Sequence, residues 1–445
     1  MKLSIVIPTY NRDHLLLKGL LFLSEQVIKS EDFELEVIIV DDGSTDRTAE
    51  YILDVQKSIK NLIHVYLPRD SGSNLSRARN AGLNIASGDI ICFMDSGILV
   101  PADFSEKIMN IYKNGNLNKL VLVHNVYGLI LEDSKENIID YIETLTPYNL
   151  QEHTRTWKKS QSWVDVRESI FDAVGDDLGK LPAPWTLAWG AMVTVSRQLA
   201  TEIGGYDESY FGWGVEDQDF SYRLYLKDAI FMAERQAFGF HIPHPTAKQE
   251  AKKKSISNRK QMHQKFYTLE TELFYLYNGL YYNHILAKLN TFVISNAFQS
   301  VYPASVLGKV SECLSVNPGH SLLLGFDDIP ITSLLYTTHI FVHNKTVFKR
   351  FNEEYKDRSI HYLLGCDTFF ENKYFELVIM SDFVLVLGER LLKDILLEMQ
   401  RISKQIVFLY GNIKKFTDDS YRLVGIERLK EIAKEFNLII VFVEF

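Results

Sequence analysis

Within its first hundred residues the chain alternates short apolar runs with stretches of helical spacing, and that alternation restricts the fold. Leu3–Pro8, Leu35–Val40, Leu62–Tyr66 and Asp89–Met94 are the apolar runs. Between them, Asp13–Lys29 sets Leu16, Leu20, Leu23 and Val27 on one helical stripe, and Thr45–Ile59 and Leu75–Ala86 continue the pattern. Apolar strands joined by amphipathic helices predict a parallel sheet covered on both faces. Ligands of such sheets bind beyond the carboxyl ends of the strands. Three polar clusters fall at those ends: Pro8-Thr9-Tyr10-Asn11, Asp41-Asp42-Gly43-Ser44 and Asp95-Ser96-Gly97. The sequence thus gathers them along one edge.

At 445 residues the chain is too long for one ordinary core. We expect an α/β catalytic domain over residues 1–246, with a donor half at 1–119 and an acceptor half at 120–246. A helical linker at 247–300 and a smaller Rossmann-like domain at 301–445 should follow. All five tryptophans, Trp157, Trp163, Trp185, Trp189 and Trp213, lie between residues 120 and 245. Outside the Gly-Trp-Gly turn they are expected to be structural. The basic run Lys252-Lys253-Lys254, Arg259, Lys260 and Lys265 reads as a solvated linking helix. Two sharper readings are a lid on a diphosphate and attraction to an acidic acceptor or lipid headgroup. Beyond it, Ser321–Gly325, His339–Val342, His361–Gly365, Leu377–Leu387, Gln405–Tyr410 and Leu438–Val443 read as strands. Helical patterns such as Leu391–Ser403 and Ile426–Phe436 lie between most of them.

Composition narrows the partners. A net charge of −9 argues against a nucleic-acid backbone, which needs a basic face. Cys92, Cys313 and Cys366 are widely spaced and form no Cys-x-x-Cys pair, so neither a disulfide framework nor a thiolate zinc site is indicated. The N-terminal Met-Lys-Leu-Ser-Ile-Val-Ile-Pro reads as a strand, not a signal peptide. No run approaches the roughly 18–20 apolar residues of a membrane span. A cytoplasmic protein is expected, with residence at the inner face of the membrane kept open.

The chemistry concentrates in Phe211-Gly-Trp-Gly-Val-Glu-Asp-Gln-Asp219. Glycines flanking Trp213 permit unusual backbone angles and close approach of a sugar ring, for which the indole is a flat platform. Glu216 and Asp217 then open a helix, whose N-terminus favours carboxylates. Capping is the bland role for such acids. The flanking glycines and the strand-end clusters upstream favour a chemical one.

The motifs Ile5-Val-Ile-Pro-Thr-Tyr-Asn11, Val40-Asp-Asp-Gly-Ser-Thr-Asp46 and Ala78-Arg-Asn-Ala-Gly82, followed by Asp95-Ser-Gly97, resemble the family 2 glycosyltransferases of the GT-A fold. The stretch Trp189–Ser196, Ile203–Glu208 and Phe211–Arg223 is similar to the galactosyltransferase carboxyl-terminal motif. The likeness covers about residues 1–245 and implies transfer of a galactose- or N-acetylgalactosamine-like sugar from a UDP-sugar. It assigns Pro8, Thr9, Tyr10, Asp41, Asp42 and Arg79 to the donor, and Trp213 and Gly214 to a saccharide, lipid-linked or peptide acceptor. Asp217 becomes the base of an inverting displacement and Glu216 its sugar-binding neighbour. Asp95 becomes both a donor contact and a ligand of manganese or magnesium. The family's second acid is Gly97 here, so His241 or His244 is expected to complete the metal set.

Other readings stay open: a retaining or polypeptide-directed transferase, a non-catalytic nucleotide-sugar scaffold, and a bifunctional enzyme with a methyltransferase half. Residues 301–445 vaguely resemble Rossmann methyltransferase strands but lack the glycine-rich loop, which points to a degenerate module for docking or oligomerisation.

Overall fold

The computed structural model of the protein describes residues 1–114, 118–129, 138–244, 248–277, 282–294, 304–316, 319–327, 335–410 and 424–444. The chain divides into two units, Met1–Asn258 and Arg259–Phe445, and the division falls inside one helix, Lys248–Phe266.

In the N-terminal unit the apolar runs become β1 (Lys2–Thr9), β2 (Glu34–Asp41), β3 (Leu62–Tyr66) and β4 (Ile90–Met94). They are parallel, in the order β3-β2-β1-β4. Nearly every residue of β1 and β2 is buried, as a sheet covered on both faces requires. The helix Asp13–Ser24 turns Leu16, Leu20 and Leu23 onto one face. The helix Leu75–Ile85 packs against β1 and β2, with Asn74 accepting the Arg77 N–H at its start.

The sheet then changes character. It continues through β7 (Met192–Ser196), β6 (Leu120–Tyr127), β8 (Ile230–His241) and the short β5 (Ile98–Leu99), in that spatial order. β7 runs antiparallel to both its neighbours, β4 and β6. The register pairs Thr9 with Asp41 and Asp41 with Tyr66, and the three polar clusters do share one edge. Phe93 of β4 meets Tyr206 and Phe220 edge-on, and these two rings stack 4.2 Å apart. This aromatic knot seats the helix Glu216–Leu226 over the β4 end.

Trp157 and Trp185 are fully buried, whereas Trp213 is 65% exposed. The expected helix Thr45–Ile59 is shorter, Thr48–Val55. Asp46 Oδ1 accepts both the backbone N–H and the hydroxyl of Thr48, and the Thr45 N–H is spent on Asn11, so residues 45–47 form a turn.

The C-terminal unit holds six parallel strands: β9 (Ser321–Leu324), β10 (His339–Val342), β11 (Ser359–Tyr362), β12 (Phe375–Ser381), β13 (Ser403–Tyr410) and β14 (Ile440–Glu444). Their order is β11-β10-β9-β12-β13-β14, the doubly wound arrangement with its switch point between β9 and β12. The expected strand Leu377–Leu387 stops at Ser381, whose hydroxyl accepts the Phe383 N–H and starts a 3-10 turn, Asp382–Leu387. Asp328 and Pro330 lie outside the described residues.

One buried carboxylate ties the parallel half of the sheet together. Glu36 accepts the Ser4 and Ser87 hydroxyls at 2.6 Å each and pairs with Lys2 at 2.7 Å. Burial alone would raise its pKa, but these bonds win and hold it at about 2, against an ordinary 4.5. A depressed folded pKa stabilises above the unfolded value and loses that stability as pH falls from 4.5 toward 2. Glu36→Gln should therefore cost about 1–2 kcal/mol in urea unfolding at neutral pH, with the gap to wild type closing through that acid window.

Candidate active site

At the end of β2 the two aspartates are used differently. Asp41 Oδ1 accepts the Ser44 N–H at 2.8 Å, and Oδ2 lies 3.8 Å from His64 Nε2. Burial raises the Asp41 carboxyl, but the His64 and Ser44 contacts outweigh it and the net shift is downward. Asp42 Oδ2 meets the Arg69 guanidinium at 2.5 Å, while its buried Oδ1 has no partner. Burial raises the Asp42 carboxyl in spite of Arg69. Nearby, the buried Thr9 Oγ1 is also unpartnered, and Arg69 lies 3.6 Å above the exposed Tyr10 ring. Pro8 stands at the same β1 end.

Arg79 is 1% exposed. Its guanidinium donates to Asp95 Oδ1 at 3.0 Å, to Glu216 Oε1 at 3.2 Å and to the Gly190 carbonyl at 3.0 Å. Arg79 is thus held among carboxylates rather than presented to an open phosphate site. Gly190 lets it in: a Cβ there would stand 2.7 Å from the guanidinium. The Gly190 N–H in turn donates to Asp217 Oδ2 at 2.7 Å. Asp95, Arg79, Glu216, Gly190 and Asp217 therefore form one continuous polar chain across β4, β7 and the helix Glu216–Leu226.

Burial is the first cause of a raised pKa at both Glu216 and Asp217. For Glu216 the neighbouring Asp217 charge adds to it and Arg79 opposes it. For Asp217 the Gly190 N–H and Arg79 oppose it. A buried carboxylate with a raised pKa and an anchored orientation suits proton abstraction near neutral pH.

The turn before these acids is strained as its glycines suggest. Gly212, Gly214 and Val215 have φ of +82°, +88° and +84°, and for the β-branched Val215 that is an outlier. Asn258 holds the turn, its amide donating to the Gly214 carbonyl at 2.9 Å and to that of Phe211 at 3.3 Å. Trp213 projects from the turn.

Asp95 feels His241 and His244 electrostatically, and the two imidazoles lie 5.0 Å apart between centroids. Pairing of Ile98 with His241 brings the Asp95 turn to the end of β8. His241 Nδ1 is buried without a partner, while His244 Nδ1 lies 3.2 Å from the Ile242 carbonyl. Among the described residues no group of three or more carboxylate, imidazole or thiolate side chains is closed tightly enough to hold an ion by itself. Gly97 explains the missing second acid: φ is +88° and a Cβ would sit 3.2 Å from that of Leu15.

Sequence reasoning missed Gly190, Asn258, Arg69 and His64. The Trp189-Gly190 pair stood within the matched motif, but nothing local marks the others.

Residues 4–158 match the family described as Glycosyl transferase family 2, and residues 176–244 match the one described as N-terminal domain of galactosyltransferase. Validoxylamine A glucosyltransferase of Streptomyces hygroscopicus subsp. limoneus is 31% identical over 54% of this chain and 52% of its own. Chondroitin synthase of Escherichia coli is 26% identical over 58% of this chain and 37% of its own. The chain thus spans about half the length, or less, of these curated relatives. A crystal structure of S. aureus TarS 1-349 with UDP-GlcNAc aligns at a TM-score of 0.41 and 16% identity, over 71% of this chain and 81% of that one.

Arg79→Met would leave the buried Glu216 and the partly exposed Asp95 without their cation. The expected loss is about 3 kcal/mol in urea unfolding near pH 8, shrinking near pH 5 as the raised Glu216 carboxyl takes a proton. An equal loss at both pH values would show that the ion pairs are not what Arg79 contributes.

Proposed function

We propose that the Met1–Asn258 unit, a glycosyltransferase family 2 domain, transfers a hexosyl group from a UDP-sugar to a saccharide hydroxyl with inversion. The observation that carries this reading is Asp217, oriented by the Gly190 N–H beside the buried Arg79–Asp95–Glu216 chain. The relatives bear names as different as a glucosyltransferase and a chondroitin synthase, so the donor is kept at the level of UDP-hexose or UDP-hexosamine.

Uracil needs an acceptor for its imide N–H. The unpartnered Asp42 Oδ1 supplies one, with Thr9 Oγ1 as a second polar contact and the Tyr10 ring alongside. Asp41, already engaged by Ser44 and His64, shapes that turn instead. This reverses the emphasis expected from the sequence. Arg79 acts through Asp95 and Glu216, holding both in place.

A divalent cation fits at Asp95 with His241 and His244, because the buried His241 Nδ1 lacks any other partner. Such an ion would neutralise the diphosphate and the charge that develops on it as it leaves. Diphosphate oxygens and water would fill its remaining positions.

Trp213, exposed on its glycine turn, offers a face to the acceptor ring. Asp217 takes the proton of the acceptor hydroxyl as its oxygen attacks the anomeric carbon, and the bond from that carbon to the phosphate oxygen breaks. A lipid-linked or peptide acceptor would meet the same surface. For the C-terminal unit, docking or oligomerisation is favoured over a second catalytic activity because no glycine-rich loop follows its first strand, where Gly325 stands without further glycines.

Asp217→Asn should lower UDP release by roughly 100-fold or more while leaving UDP affinity within about twofold, read by coupled assay and calorimetry. Unchanged turnover would support the scaffold reading. Because burial raises the Asp217 pKa, turnover should rise with pH through the acidic range, the base being active only when deprotonated. Chelation should abolish turnover and manganese restore it, with His241→Ala raising the manganese concentration required. An α-linked product from an α-linked donor would replace inversion by retention.

A further inference from the structure

The backbone from Ala188 to Ala191 lies between the 3-10 turn Pro184–Leu187 and the start of β7 at Met192, and belongs to no helix or strand. Groups of the site nevertheless hang on it. The Gly190 N–H donates to Asp217 Oδ2 at 2.7 Å, and the Gly190 carbonyl accepts Arg79 at 3.0 Å. The Ala191 carbonyl accepts the Asp95 N–H at 2.9 Å. The direction of Asp217 and the place of Asp95 thus depend on what holds this irregular stretch.

A buried ion pair holds it. Arg167 and Asp165 are 1% and 2% exposed. Arg167 Nη2 donates to Asp165 Oδ2 at 2.6 Å and its Nε to Oδ1 at 3.0 Å, a two-pronged bond that sets the plane of the guanidinium. Both partners are fastened to β6, which pairs with β7 as far as Val123 and Val193. Beyond that pair, Arg167 Nη2 donates to the His124 carbonyl at 2.8 Å, and Asp165 Oδ2 accepts the Val126 N–H at 2.8 Å.

From this base Arg167 meets the stretch before Gly190 twice. Its Nη1 donates to the Leu187 carbonyl at 2.6 Å, and its guanidinium lies 4.8 Å from the centre of the Trp189 ring. The Leu187 carbonyl also accepts the Trp189 N–H at 3.0 Å, and the indole Nε1 donates to the Thr186 carbonyl at 3.0 Å. Trp189 is therefore held at its backbone, its indole nitrogen and its ring, one residue before Gly190.

A buried ion pair is weak evidence of net stability, since apolar packing of the same volume often does as well. What a planar, two-pronged guanidinium adds is fixed direction. We propose that Arg167, set by Asp165, is a positioning residue for the transfer step, fixing the Trp189–Gly190 backbone so that Asp217 faces the acceptor hydroxyl. It acts through the Gly190 N–H. The inference rests on the reading of Asp217 as the base.

Loss of this clamp has a signature in pH. The Gly190 N–H and Arg79 both lower the Asp217 carboxyl against burial, and both are bonded at Gly190. A displaced Gly190 weakens them, so the Asp217 pKa moves up and turnover fails at a higher pH on the acid side. Asp95, Glu216 and the Tyr206 hydroxyl also act on Asp217, and an Arg167 substitution alters none of these three groups.

The test uses the full chain as wild type, Arg167→Lys and Trp189→Phe, with manganese and the UDP-sugar that wild type turns over. Released UDP gives kcat, donor KM and the pH profile, while UDP affinity and melting temperature are followed in parallel. Lysine keeps the charge beside Asp165 but cannot span Asp165, His124 and Leu187 with one planar fork. Arg167→Lys should hold donor KM and UDP affinity within about twofold, lower kcat about tenfold, and move the acid limb of the profile to higher pH. Trp189→Phe, which removes the indole bond to Thr186, should move kcat and the acid limb in the same directions by less. An unchanged kcat in folded Arg167→Lys overturns the proposal. So does a lower kcat with the acid limb unmoved, which marks a merely structural pair. Should Arg167→Lys fail to fold, Trp189→Phe decides, and an unchanged kcat and acid limb there overturn the proposal. Undiminished turnover in Asp217→Asn overturns the base reading instead, and that outcome is visible without either variant.

Discussion

The buried guanidinium of Arg79 is the constraint around which the N-terminal unit is arranged. A cation with 1% exposure can persist only if its charge is met and most of its donors are used. Asp95, Glu216 and the Gly190 carbonyl do this from three separate segments, at the end of β4, the start of a helix and the entry to β7. Each segment is thereby fixed relative to the others. The helix Leu75–Ile85 that supplies Arg79 lies against β1 and β2, so the catalytic edge inherits the rigidity of the parallel half of the sheet.

Two consequences follow for the acids. Glu216, buried, and Asp217, half-buried, are adjacent at a helix start, where the backbone dipole favours negative charge but desolvation opposes it. Arg79 and the Gly190 N–H offset part of that cost and leave the carboxyls raised rather than neutral at every pH. Meanwhile Val215 is held at φ +84° in the turn that Asn258 secures from a helix more than forty residues away. Strain at that point is consistent with a turn shaped for an incoming ring rather than for stability.

The parallel half of the sheet was legible because its signals are local: apolar runs, helical stripes and polar residues where the strands end. The Gly-Trp-Gly-Val-Glu-Asp turn was legible for the same reason. What escaped is set by tertiary contact. Whether Asp41 or Asp42 keeps a free oxygen depends on His64 and Arg69, which arrive from β3 and the loop beyond it. That Arg79 serves carboxylates depends on Gly190, more than a hundred residues later. The short helix at Thr48 was misjudged because Asp46 and Asn11 compete for the backbone donors that a longer helix would use.

The C-terminal unit combines a familiar sheet order with a strand end closed from within. Its six parallel strands have the doubly wound arrangement, in which backbone donors beyond the strand ends commonly receive an anionic or nucleotide ligand. Beyond β11 those donors are already committed. The Glu272 carboxylate accepts the N–H groups of Leu364, at 2.6 Å, of Gly365 and Asp367, at 3.0 Å each, and of Cys366. Burial pushes its carboxyl up to about 7 even against these four donors, whose hydrogen bonds hold the carboxylate in place. A cofactor at that loop would have to displace a fully buried side chain of the same unit. The loop after β11 is thus closed from within the fold, at the edge of the sheet and away from the switch point between β9 and β12.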